Sequence, residues 1–175
     1  MDLSYPIGKF EWPETVAAGD RKQHIEEIAA APSRFRAAVD GLDGRQLDTP
    51  YRPGGWTVRQ VVHHFADSHI NAYVRFRLAV TEDQPVIKPY DEKKWAELPD
   101  ARTGALELSL PLIDSLHQRW VVLLSSFSEA DFARTFRHPE LPGTVRLDTY
   151  LASYAWHCRH HAAHITSLRD RMAWK

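Results

Sequence analysis

The sequence holds a single cysteine, Cys158, among 175 residues. No intrachain disulfide is available to staple the fold, which agrees with a reducing compartment. Nowhere does the chain approach the ~18 consecutive apolar residues of a membrane-spanning helix. The N-terminal stretch MDLSYPIGKF lacks the basic and apolar regions of a secretory signal. A cytoplasmic protein with no membrane partner is therefore expected. Charge of one sign is also lacking: 22 Lys and Arg stand against 23 Asp and Glu, a net charge of −1, and no basic run occurs in either half. That argues against a nucleic-acid partner drawn in by bulk charge.

With 43% hydrophobic and 26% charged residues, the length suits one domain, residues 1–175, with a core of its own. The chain shows no internal repeat. Helical patterning covers four segments: about Asp20 to Ala38, with Pro32 as a kink; Thr57 to about Val80; about Ala105 to Ser126, with Pro111 in its first turns or at a break; and Asp148 to Met172. Thr57 and Gln60 form a T-x-x-Q capping box that opens the second. Between these segments lie the turn-rich LDTPYRPGGW, the long polar TEDQPVIKPYDEKKWAELPDARTG, and FRHPELPGTVRL, which reads as a small hairpin. Four long helices with little strand predict an all-α, antiparallel four-helix bundle.

The conspicuous surplus is histidine, ten in all, four of them within YAWHCRHHAAHI at residues 154–165. Helical period sorts these four. Tyr150, Tyr154, His157, His161, Ile165, Leu168 and Met172 fall on one core-facing stripe, whereas His160 and His164 fall with Ser153, Trp156, Ser167 and Arg171 on a polar, solvated flank. A pair at i, i+4 puts His157 and His161 one turn apart, close enough to share one ion of the zinc or nickel type. Two ligands do not make a site. WTVRQVVHHFADSH offers His63, His64 and His69 on a different helix, and bundle cores are where ligands from facing helices converge. Spacing leaves the choice among these open, because His69 lies on the strongest apolar stripe and His64 on the adjacent one.

Four blocks, LSYPIGKF, LDTPYRPGGWTVRQVVHHFADSH, PYDEKKW and WHCRHHAAHI, resemble the DinB/YfiT-like superfamily across nearly the whole chain, and its YfiT branch in particular. That branch is associated with metal-dependent hydrolysis and with bacillithiol S-transfer. The resemblance implies one ligand eight residues beyond the helix-opening Trp56, which is His64, and two from the terminal H-x-x-x-H, which are His157 and His161. It further implies one divalent transition metal per subunit, Zn2+ or Ni2+, and a homodimer. The apolar arm LSYPIGKFEWPE, outside the four helices, needs a surface to cover it and points the same way.

Other side chains have plainer readings. His63 is turned ~100° from His64 around the helix and is expected at the surface or behind the ligands. Cys158, similarly turned from His157, is expected as a small buried hydrophobe. Asp67 is a candidate to orient an imidazole, its competing reading being a surface carboxylate that pairs with Arg59 or His63. Tyr90, Asp91 and Glu92 sit on the long loop, where substrate contacts are expected. Three neutral imidazoles leave the full charge on an ion, which can bring bound water to a pKa of about 7 or deprotonate a bound thiol. The expected activity is transfer of a low-molecular-weight thiol of the bacillithiol type to small electrophiles. The alternatives are metal-dependent hydrolysis and a non-catalytic metal-binding module.

Overall fold

The computed structural model describes residues 2–174. Four long helices dominate it: α1 (Ala18–Val39), α3 (Val58–Thr81), α6 (Leu110–Ser125) and α8 (Leu147–Met172). Four one-turn helices lie between them: α2 (Gly44–Leu47), α4 (Glu92–Ala96), α5 (Pro99–Thr103) and α7 (Glu129–Phe132). α1 packs on α8 and α6, and α3 packs on the same two helices. The result is the expected four-helix bundle, with ridges of Ile28, Phe35, Phe65, Phe76, Ile113, Trp120, Leu151 and Ile165 fully buried along its axis.

Local chemistry sets the ends of these helices. Thr57 Oγ1 accepts from Gln60 N at 3.1 Å while Gln60 Oε1 accepts from Thr57 N at 2.9 Å, the reciprocal capping expected at the start of α3. α1 runs on through Pro32. Pro111 occupies the first turn of α6, where a missing N–H costs nothing, and a short 3-10 turn at Leu106–Leu108 precedes it. FRHPELPGTVRL contributes all but Thr135 of a minimal antiparallel hairpin, β1 (Thr135–Phe136) with β2 (Val145–Arg146), in which Phe136 faces Val145.

The long polar segment is not free. Ile87 N donates to Arg137 O at 3.0 Å and Arg137 N to Pro85 O at 2.9 Å, which ties it to the hairpin. It contains α4 and α5, the first capped by Asp91, whose Oδ1 accepts from Lys94 N at 3.0 Å. Met172, placed by period on the core stripe, is 51% exposed: it lies at the end of α8, beyond the facing helices. Among the described residues, no helix is long and apolar enough to cross a membrane.

Candidate metal centre

α3 enters the site from LDTPYRPGGW, and the shape of that loop sets one wall of it. Tyr51 N donates to Trp56 O at 3.0 Å, closing a tight turn around Gly54, whose φ of +69° suits glycine. At Gly55 a Cβ would stand 2.8 Å from the Arg52 side chain and 3.2 Å from the Tyr51 ring. The two glycines therefore let the loop fold down beside the helix start. Trp56 then rests against His64, ring centroids 4.5 Å apart, and Tyr51 stacks on His164 at 4.0 Å.

His64 from α3 and His157 and His161 from α8 converge there, with one ring nitrogen of each within 4.8 Å of the others. Ring centroids are 4.9 Å apart for His64 and His161 and 4.3 Å for His157 and His161. All three line a cavity of about 600 Å³, together with Arg52, Lys93 and Glu92. Burial holds His64 down to about 4, and it holds His157 and His161 well below the ordinary imidazole range, with neighbouring imidazoles adding to the effect. At neutral pH the cluster is uncharged and its lone pairs are available. Three free-base nitrogens fit a borderline ion such as zinc or nickel.

Hydrogen bonding fixes which nitrogen His161 presents. His164 Nε2 lies 3.2 Å from Ser4 O, which can only accept, so that nitrogen carries the proton. His164 Nδ1 is then an acceptor for His161 Nδ1–H at 3.3 Å, and His161 Nε2 keeps its lone pair. A ligating imidazole is commonly oriented through its other nitrogen in this way. His157 Nδ1 is 3.1 Å from His69 Nε2. When His157 donates in this contact, its own Nε2 is free and the proton on His69 Nδ1 has no partner among the described residues. His69 itself is fully buried, stacked on His117, whose Nδ1–H donates to Ile28 O at 2.6 Å.

His160 and His164 correct the expectation of a solvated flank: they are only 6% and 3% exposed. The N-terminal arm covers them, with Tyr5 against His160 at 5.7 Å and the Ser4 carbonyl on His164. The arm thus packs on its own chain, which leaves less of it seeking a second copy than its composition suggested. His160, His161 and His164 form a second close trio of ring nitrogens, but both nitrogens of His164 are taken up by Ser4 and His161.

His63 is buried, and both its nitrogens are committed: Nε2–H donates to Gly104 O at 3.1 Å and Nδ1 accepts from Ser109 Oγ at 2.7 Å. Cys158 is fully buried with no exposed surface, and burial pushes its thiol far up. The structure does not bring Asp67 into the cluster. Its side chain has no imidazole partner among the described residues, and neither suggested neighbour pairs with it, because Arg59 bonds Asp48 at 2.8 Å. Burial, with the Asp100 carboxylate nearby, raises Asp67 to about 6. Of the loop candidates, Asp91 is occupied in capping α4, whereas Glu92 lines the cavity and Tyr90 lines a second one beside it.

The fold and site place this protein among helical bundles with a histidine cluster shared between two facing helices. Residues 27–165 match the family model of the DinB superfamily, and the chain belongs to that superfamily. It is 54% identical over 173 residues to a protein of Bacillus mycoides (strain KBAB4) and 53% identical to one of Bacillus cereus (strain B4264), with 99% of each chain covered; both bear the name "Putative metal-dependent hydrolase". Its structure superposes with a TM-score of 0.97, at 46% identity over 100% of both chains, on YfiT from Bacillus subtilis, described as "a probable metal-dependent hydrolase with an unusual four-helix bundle topology".

Proposed function

We propose that this chain is a metal-dependent enzyme in which His64, His157 and His161 hold one divalent transition ion, Zn2+ or Ni2+, and that it transfers a low-molecular-weight thiol of the bacillithiol type to small electrophiles. The observation that carries the reading is the convergence of three free-base imidazoles on a cavity of about 600 Å³. When bound, such an ion supplies Lewis acidity, enough to bring water to a pKa of about 7 or to hold a thiol deprotonated.

The protein's own groups do the rest. Neutral ligands leave the full charge of the ion at the cavity. Trp56 and the Ser4–His164 contact hold two of the three rings in place. Arg52 and Lys93 give the cavity wall positive charge for an anionic co-substrate, and Glu92 and Glu97 also line it. Cys158 is sealed in the core away from the cavity, so the reacting thiol comes from solution.

The names of the Bacillus relatives favour a second reading, hydrolysis with water in place of the thiol. The two separate in one assay. The protein as purified is mixed with an alkylating probe, with and without bacillithiol, glutathione or cysteine, and in parallel with an activated ester and no thiol. Thiol transfer is expected to speed consumption of the probe only when thiol is present, and the rate should level off below that thiol's free pKa. Ester cleavage that needs no thiol, with no response to any thiol, establishes hydrolysis instead. Failure of both leaves a binding module. Light scattering at micromolar concentration tests the homodimer, which a monomeric mass would remove.

A further inference from the structure

Beside the first cavity lies a second, of about 340 Å³, which shares His157, Trp156 and Glu92 with it. Its lining is of two kinds. Phe10 and Trp12 of the N-terminal arm and Trp156 of α8 supply aromatic surface, with Phe10 5.1 Å from Trp12 and 6.0 Å from Trp156 between ring centroids. The other kind is Arg75 of α3, 7% exposed and permanently charged. Arg75 Nη1 donates to Tyr150 Oη at 2.9 Å and Nη2 makes a long 3.4 Å contact to Lys88 O. No carboxylate lies within ion-pair distance of it among the described residues.

A buried guanidinium ordinarily has an anion beside it, because neutral acceptors offset only part of the cost of removing the charge from water. Arg21 shows the contrast. It is equally buried at the start of α1 and is paired with Glu129. Glu92 and Glu140 line the second cavity without reaching Arg75, and Glu92 is held above the usual carboxylate range by its own burial. His138, also in the lining, is lowered from the ordinary imidazole range by burial and by the charge of Arg75. The guanidinium therefore faces a cavity in which no carboxylate among the described residues reaches it, lined by the hydroxyls of Tyr90, Tyr154 and Ser68.

We propose that this cavity is an anion subsite that takes an organic acid with an aromatic or apolar body: the carboxylate pairs with Arg75, and the body lies along Phe10, Trp12 and Trp156, with its far end toward His157. Arginine's planar fork matches a carboxylate in two-point contact. The role of this acid as a co-substrate rests on the catalytic reading above; its binding does not.

The test is a binding titration, by tryptophan fluorescence or calorimetry, of the full chain as purified with 4-phenylbutyrate and with its uncharged amide. The acid is expected to bind about 10-fold or more tighter than the amide, a difference typical of a charge-assisted pair. Arg75→Gln should abolish that preference by weakening the acid alone, and Trp12→Ala, on the partly exposed arm, should weaken acid and amide alike. Chelating any metal should leave the preference standing. Equal affinity for acid and amide, an undiminished preference in Arg75→Gln, or loss of the preference on chelation, which would send the carboxylate to the histidines, each overturns the proposal. Should Arg75→Gln fail to fold by circular dichroism, Arg75→Lys replaces it: the single point charge should cut the preference several-fold, and an unchanged preference refutes the pairing. Because the readout is binding, a preference that survives when no thiol transfer or hydrolysis is found removes only the catalytic reading.

Discussion

The two halves of the bundle differ in the polar groups they bury. On α1 and α6 the buried positions are Ile28, Ala31, Phe35, Ala38, Val39, Leu110, Ile113, Trp120 and Leu124, with only Arg21 and His117 polar. On α3 and α8 the buried positions include Gln60, His63, His64, Ser68, His69 and Arg75, then Asp148, Thr149, His160, His161 and His164. Buried polar groups destabilise a core unless each finds a partner. The contrast teaches that all four helices share the apolar core, Phe65, Phe76, Leu151 and Ile165 coming from α3 and α8, while the buried polar groups of a chemical site concentrate on those two helices.

The contrast breaks most visibly through the ligands. His64→Ala or His161→Ala should drop bound metal from about one per chain to a small fraction of that, measured by elemental analysis after dialysis, while the bundle stays folded by circular dichroism. Retention of metal by both variants would defeat the ligand assignment. On the opposite half, Phe35 stacks on Phe65 at 3.9 Å between centroids. Phe35→Ala should cost about 3–5 kcal/mol in urea unfolding yet leave metal content at the wild-type level under native conditions. A loss below 1 kcal/mol would contradict the division.

Acid sharpens the comparison from within the apolar half, at its one buried imidazole. Burial holds His117 down to about 4, against an ordinary 6.5 in the unfolded chain. Between those values the unfolded state binds the extra proton, so stability is full above about pH 6.5 and falls as the pH is lowered toward 4. At 1.36 kcal/mol for each pH unit, His117 alone accounts for about 3 kcal/mol, as an order of magnitude. The urea midpoint of metal-depleted protein should decline steadily over that window, and less so in His117→Asn. A midpoint flat from pH 7 to 5 refutes this. The smallest effect is expected from His164→Ala, which removes the acceptor of His161 Nδ1–H: metal affinity should weaken by about 10–100-fold, with stoichiometry restored at excess metal. Unchanged affinity would make the Ser4–His164–His161 chain incidental.

Much of this was legible in the residues. The four long helices follow from apolar period and the Thr57–Gln60 cap, and their observed ends differ from the expected ones by one or two residues outside the start of α6. The helices α2, α4, α5 and α7, four or five residues each, are too short to show a period, and the Asp43, Asp91 and Ser128 caps that start three of them resemble ordinary turn residues. Period alone placed His157 and His161 together but left the α3 partner open between His64 and His69. Resemblance chose His64, and the geometry groups His64 with the α8 pair, with His69 standing behind His157. His160 and His164 were misjudged because a helix's own pattern carries no record of an arm folding over it from more than 150 residues away. Arg75 escaped notice for a similar reason: an arginine within a helix reads as a surface residue until the missing counter-ion is seen.

The burial of Cys158 has a practical side. A folded chain whose only sulfhydryl has no exposed surface should be silent toward colorimetric thiol reagents under native conditions, so the consumption of an added thiol can be followed directly, without a background from the protein. The same residue becomes a reporter once the bundle opens, since its reaction with the reagent then counts unfolded molecules.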